Sequence, residues 1–331
     1  MDFELSSDQE ALRDGVRALC EGRFTIEFIR SLIDGAYVDR GRWRELAETG
    51  VFSLVMPESE GGVGLGYADA VVVFEELGRA LVPGPLVATF LAAGLVDGAA
   101  GGDAIVGLVE RPRVEDGLVD GRPQPAYIEY LGVLDALLVL DDDGVWQVDA
   151  AAVLAAARQP KPLDPLTPVW RIDALPQGTR IGDAALAHQW QMVGATLTSA
   201  LQLGVATGAC ELATEYAKGR MQFGKPIGQF QAVKHMCADM VTRNEVCRAA
   251  VYWAGCALDD AEVGDPVRAA SVARIEADVA SSENGKDCVQ VHGGMGYTWE
   301  VDAHLFLKRA WVLATQFGSA DDHAERMASY V

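Results

Sequence analysis

Apolar residues recur at helical spacing over the first hundred positions. In "ALRDGVRALCEGRF" they fall three and four apart, the stripe an amphipathic helix turns toward a core. Ser7 followed by Glu10 forms a capping box ahead of it. "GRWRELAETGVFSLVM" predicts a second helix running into a loop, and "ADAVVVFEELGRAL" a third. The intervening "PESEGGVGLGY" lacks GxGxxG spacing and follows a helix end rather than a strand, so it reads as an interhelix turn and not a dinucleotide fingerprint. From about Gly101 to Gly182 the pattern changes. "DAIVGLVE", "LDALLVLDDDGVWQVDA" and "PVWRIDAL" read as short strands parted by Asp, Gly and Pro turns, with "DDDG" as a hairpin signal. Pro160, Pro162, Pro165 and Pro168 mark an irregular stretch. From Asp183 helices return, and they are long: 184–219 and 227–262, each about 50 Å at 1.5 Å per residue. Asp265-Pro266 opens another, an Asp cap with proline at the first helical position, which runs to about Val291. After the break "HGGMGYT" a last helix begins near Trp299. Four such helices with short connections predict an antiparallel bundle. The expected fold is mainly α with a small β domain: a helical domain over 1–100, a reduced β domain over 101–182 and a helical bundle over 183–331.

Composition adds limits. Half of the residues are apolar and 23% are charged, so the chain folds around a sizeable core. No apolar stretch reaches the roughly 18 residues needed to cross a bilayer, and "MDFELSSDQEALRD" is unlike a secretory signal. A cytoplasmic location without membrane attachment is expected. A net charge of −21 argues against nucleic acid as a partner. It does not exclude a small anion, because Lys218, Arg220, Lys225 and Lys234 lie in a window from Ala217 to His235 that holds no Asp or Glu. The alternative is a solvated helix face. The six cysteines form no CxxC pair and read as small buried hydrophobes, and the five histidines show no ligand spacing, so no metal site is expected.

"YAKGRMQFGKPIGQFQAVKHMCADM" (216–240) and "VQVHGGMGYTWE" (289–300), in this order of helices, strands and bundle, resemble the acyl-CoA dehydrogenase family. The resemblance is strong over 190–315 and weak in the middle. It implies an N-terminal helical domain, a middle β-barrel-like domain and a C-terminal four-helix bundle, with FAD lying between two subunits. It also implies that Arg220, Phe223, Gln290 and Gly294 hold the FAD of the neighbouring chain. The chemistry fits. A guanidinium offers a charge-assisted fork to pyrophosphate, and a residue without Cβ lets the backbone approach closely. The alternative is Arg220 in an ion pair and Gly293-Gly294 as a mere C-cap.

The family reaction removes the α-proton of an acyl-CoA thioester by a carboxylate while the β-hydride leaves to the flavin. The resemblance puts that carboxylate at the second residue of Gln316-Phe317-Gly318-Ser319, where this chain has Phe317; Ser319 keeps the hydroxyl of the motif as a cofactor contact. The alternative base position of the family falls on Gly194, followed by Ala195. Glu300, Asp302, Asp321 and Asp322 match neither position. In the middle domain Glu110 and Pro112 are faint echoes of a flavin-lining strand, and no "WIT" strand is found. The resemblance therefore narrows to the non-catalytic subunit of bacterial heterotetrameric, steroid side-chain type enzymes. Such a chain has no catalytic residue of its own, shares FAD with a homologous catalytic partner in an α2β2 assembly, and leaves the acyl-CoA on that partner. Two alternatives stay open: a self-sufficient dehydrogenase with a relocated base, and a non-enzymatic acyl-CoA-binding or scaffold protein.

Overall fold

The structure, a computed structural model, describes residues 4–33, 35–111, 118–119, 122–123 and 125–329. Helices α1 (Ser7–Arg23), α2 (Ile26–Ser31), α3 (Arg40–Glu48), α4 (Tyr67–Arg79) and α5 (Leu86–Ala92) come first. Strands β1 (Val106–Glu110), β2 (Leu118–Val119), β3 (Arg122–Pro123), β4 (Ala126–Glu129), β5 (Ala136–Asp141) and β6 (Gly144–Val148) follow. After α6 (Ala150–Ala156), β7 (Val169–Ile172) and β8 (Thr179–Gly182) comes the long α7 (Ala184–Gly219). The chain ends with β9 (Met221–Gln222), β10 (Lys225–Pro226), α8 (Gln231–Asp259), α9 (Pro266–His292), α10 (Ala303–Leu313) and α11 (Ala320–Ala328). The fold is mainly α with few strands, as the sequence predicts. The contacts group the chain into two compact units, each discontinuous in sequence: 1–29, 66–82 and 195–331, and 30–65 with 83–194.

The second of these units carries β1 to β8. A four-stranded sheet runs β1-β5-β6-β8, with β1 parallel to β5 and the other pairs antiparallel. The "DDDG" signal is a hairpin, and the Asp141 carboxylate accepts from the Asp143 and Gly144 amides and from the Trp146 indole, which fixes the turn. Strands β4 and β7 pair antiparallel, and Ile128, Leu137, Val139, Val148, Trp170 and Ile172 form part of one apolar core. Pro112 lies outside the described residues. Glu110 ends β1.

In the other unit α4 and the later part of α7 approach to backbone contact. A Cβ on Gly78 would stand 2.1 Å from the Leu201 carbonyl oxygen, and one on Gly204 would stand 2.0 Å from that of Glu75. Only glycine permits this spacing. Asp259, at the end of α8, accepts from the Tyr67 and Ala68 amides and so caps α4 across 191 residues of sequence. Helix α9 packs against α8, α10 and α11. Asp265 caps α9 with Pro266 at its first position, as expected.

Several expectations shift. The first capping box is Ser6 with Gln9, one residue earlier, because the Ser6 hydroxyl accepts from the Gln9 amide. Helix α8 starts at Gln231 rather than 227, since Ile227–Gln229 form a single 3-10 turn whose Ile227 amide bonds back to the Arg220 carbonyl. The last helix is two helices: Phe317 and Gly318 take φ of 51° and 85°, which ends the run before α11. Helices α2, α5 and α6 are too short for a clear period and were not expected. Helix α7 is apolar and long enough to cross a bilayer by composition. However, 94% of its apolar window is buried within the molecule, as in a bundle core.

Candidate functional site

Helix α7 ends at Gly219, and the chain turns back through β9 and β10 with Phe223 and Gly224 as the two central residues. Their φ values of 50° and 78° belong to a mirror-image hairpin turn. Glycine accepts that conformation freely. A phenylalanine does so at a cost of about 1–3 kcal/mol, the kind of strain that gathers at ligand clamps. The Phe223 ring is 91% exposed, touching only the edge of Phe230 at 6.0 Å among the ring contacts observed. The Lys225 ammonium sits over the Phe230 ring at 4.4 Å. Arg220 is exposed, and among the described residues its guanidinium forms no ion pair or hydrogen bond. Lys218, in contrast, is paired with Glu215, which stands just outside the acid-free window, so the patch offers three cations rather than four. Helix α8 begins here without a side-chain cap, which leaves its first amides facing the same loop.

The second motif ends α9. Gly293 takes φ 62° and the chain passes into a 3-10 turn at Gly293–Tyr297. The His292 ring stacks on Tyr216 at 4.1 Å and 26°, which ties the end of α7 to the end of α9 and brings the two motifs together. His292 Nδ1 donates to the Cys288 carbonyl at 2.7 Å, which fixes the ring orientation. Gln290 is exposed, and no hydrogen bond of its side chain is found among the described residues. A Cβ on Gly293 or Gly294 would meet nothing within 4 Å. Gly293 needs glycine for its backbone; Gly294 has no such need, and nothing in this chain crowds it. A C-cap therefore accounts for the first glycine and not for the second. An exposed guanidinium, an exposed strained ring, a free amide side chain and an open glycine suit an FAD pyrophosphate and adenosine presented from outside.

The position that the resemblance gives to the base lies in a different loop, beyond α10, a helix about 16 Å long. Phe317 is 7% exposed and its carbonyl accepts from His323 Nε2 at 2.8 Å. The buried Arg274 guanidinium clamps the loop: Nη2 reaches the carbonyls of Gln316 and Gly318 at 3.0 Å, with Ala314 at 3.2 Å and Leu313 at 3.3 Å. Gln202 accepts from its other arm. The Ser319 hydroxyl is occupied in a capping box with Asp322, donating to Asp322 Oδ2 at 2.7 Å and accepting from its amide at 3.2 Å. Gly194 is buried inside α7. Among the other acids Glu300 and Asp321 are exposed, and Asp302 heads α10. One carboxylate escaped the sequence reading. Asp278 lies one turn beyond Arg274 on α9, its Oδ1 is buried without a hydrogen-bond partner, and burial raises its pKa against the opposing pull of Arg274. No motif marks it, so only packing reveals it.

Among the described residues no group of three or more His, Cys, Asp or Glu is arranged to hold a metal. All six cysteines are free, and burial pushes the Cys20 and Cys288 thiols up to about 12, which leaves them unreactive near neutrality.

Residues 186–330 match the acyl-CoA dehydrogenase C-terminal domain, and residues 6–99 match the N-terminal domain. The acyl-CoA dehydrogenase IpdE2 of Mycolicibacterium smegmatis is 34% identical over 99% of this chain and 100% of its own length. The chain belongs to the acyl-CoA dehydrogenase family. IpdE2 of Mycobacterium tuberculosis is also 34% identical, covering 98% of this chain and 97% of that one. Among solved structures, the ChsE4-ChsE5 complex from Mycobacterium tuberculosis superposes with a TM-score of 0.82 at 24% identity, over 99% of this chain and 98% of that one. The Tcur3481-Tcur3483 steroid acyl-CoA dehydrogenase, a G363A variant, gives 0.80 at 24% identity over 97% of both chains. Both structures share the fold of this chain.

Proposed function

We propose that this chain is the non-catalytic subunit of a heteromeric acyl-CoA dehydrogenase, and that it completes the FAD site of a homologous catalytic partner. The observation that carries the reading is Phe317, a hydrocarbon ring buried in a clamped loop, at the place where the resemblance to the family puts the proton acceptor. Phenylalanine takes no proton at any pH. FAD, when bound, supplies the acceptor for the substrate's β-hydride. In this chain Arg220 neutralises and orients the pyrophosphate, Gln290 offers an amide to the adenosine half, and Gly294 lets backbone and cofactor meet closely. Phe223 covers the cofactor with an apolar face. Ser319 contributes only where its capping bonds leave a lone pair. The assembly is α2β2 and cytoplasmic, with the acyl-CoA thioester on the partner. Two relatives described as a steroid enzyme and a two-protein complex support a steroid side-chain thioester as the substrate class.

The test is expression of the chain alone and with homologous dehydrogenases encoded nearby, measuring flavin absorbance, flavins per tetramer and thioester desaturation. We expect a colourless, inactive chain alone and one flavin per αβ pair in the complex. A flavin-replete, active homotetramer overturns the proposal.

Asp278 favours a second reading, a self-sufficient dehydrogenase with a relocated base, because a half-buried carboxylate with raised pKa suits a general base. Under that reading the chain alone turns over a thioester, and Asp278→Asn abolishes turnover with bound flavin unchanged.

A further inference from the structure

A second concave site is lined by none of the residues given a cofactor role above, and it lies wholly within the unit formed by 1–29, 66–82 and 195–331. It is a cavity of about 450 Å³ framed by the end of α1, the start of α2, the end of α4, the later part of α7 and the start of α10. That volume is in the range of small-molecule pockets. Its walls are apolar: Phe24, Leu81 and Phe306 are buried in them, and Leu212 completes the surface. Leu81 holds φ 54° just past the end of α4, where its amide bonds to the Gly78 carbonyl and the Val82 amide to that of Leu77. This is the position of a helix end that glycine ordinarily fills. A leucine there supplies apolar wall that glycine cannot.

The charged side chains that line the cavity are Glu21, Arg79, Glu211, Glu215 and Asp302, and all of them are engaged within the chain. The three nitrogens of Arg79 bind Glu76, Glu211 and Glu21 at 2.9, 2.8 and 3.1 Å. Glu215 pairs with Lys218, and Asp302 is held by a contact of its own. A cationic ligand would have to displace Arg79 or Lys218 from a carboxylate, and an anionic one would have to displace a carboxylate from Arg79. Each new pair would break an existing one, while a charged group brought against the apolar walls loses its hydration. An acyl-CoA, with its three phosphates, finds no available cation in this lining, so this is not a second substrate pocket. Cys20 lies in the wall, and its thiol stays protonated near neutrality, which leaves no nucleophile for covalent capture.

We infer that this cavity is a binding site for an uncharged, largely apolar small molecule. The walls take its apolar surface out of water, which supplies the affinity. The internal pairing of every lining charge excludes ionised ligands of either sign, which supplies the selectivity. The inference does not depend on the catalytic status of the chain.

The experiment titrates the purified full-length chain by calorimetry with 4-phenylbutanol, 4-phenylbutylamine and 4-phenylbutyrate, three probes that share one body and differ in charge. The alcohol is expected to bind saturably, with the negative heat-capacity change of apolar burial. It is expected to bind about tenfold more tightly than either the amine or the carboxylate, a difference of about 1.4 kcal/mol. Leu212→Trp, which fills the cavity, abolishes binding of the alcohol. Ile26→Trp on another wall serves as the second filling variant in case the first fails to fold. Three outcomes each overturn the inference: no saturable binding of the alcohol, either charged probe binding as tightly as the alcohol, or alcohol binding unchanged in the folded filling variants.

Discussion

The residues proposed to reach a partner's flavin make few contacts within the chain itself. Arg220 has no ion pair among the described residues, and Gly294 has empty space where a Cβ would be. Arg220→Ala is therefore expected to leave the fold intact while removing charge-assisted bonds of about 1.5–3 kcal/mol, a loss of tenfold or more in flavin affinity. The flavin-to-protein ratio of the co-expressed complex checks this, and an unchanged ratio favours the scaffold alternative. Gly294→Ala makes a sharper contrast with Gly285→Ala. The first meets nothing and should lower only flavin retention; the second puts a Cβ 2.9 Å from the Leu307 backbone and should lower the melting temperature. His323 gives a pH signature. Buried between Ser271 and the Phe317 carbonyl, with Arg274 and Arg326 adding positive charge against Asp322, it titrates at about 4 instead of 6.5. A depressed histidine stabilises the fold fully above pH 6.5, and this contribution, about 3 kcal/mol, is lost as pH falls from 6.5 through 4. Urea unfolding over that range should show the loss, and His323→Gln should flatten it.

Elements were legible in proportion to their length. Helix α7 runs over the residues its apolar spacing predicts, and α9 starts at its Asp-Pro signal, because long periodic stretches and caps are local information. The split between α10 and α11 was not legible. It depends on Phe317 taking a left-handed φ, and that conformation is secured from a distance by Arg274 on α9 and by His323. Arg274→Ala removes the partner of four carbonyls and of Gln202, and it should cost about 3–5 kcal/mol, measured by denaturant unfolding. The α4–α7 crossing is similar. Gly78 and Gly204 stand in helix interiors, where they weaken the intrinsic helix, and only the crossing supplies their reason.

For the whole molecule the decisive expectation is asymmetry: colourless alone, yellow with its partner, with one flavin for each pair. Family membership was legible because the two motifs are short, contiguous runs, so their resemblance to the family can be read without knowing how the chain packs. Counting onward from the second run sets Phe317 where the resemblance expects a carboxylate, and that expectation needed the sequence alone. What only the tertiary structure decided is how distant groups meet: the Tyr216–His292 stack that joins the two motifs, the Arg274 clamp, and the half-buried Asp278 carboxylate. Each depends on residues far apart in the chain, so no local pattern carries it. A helix's period and cap are set by its neighbours in sequence, while burial and pairing are set by its neighbours in space.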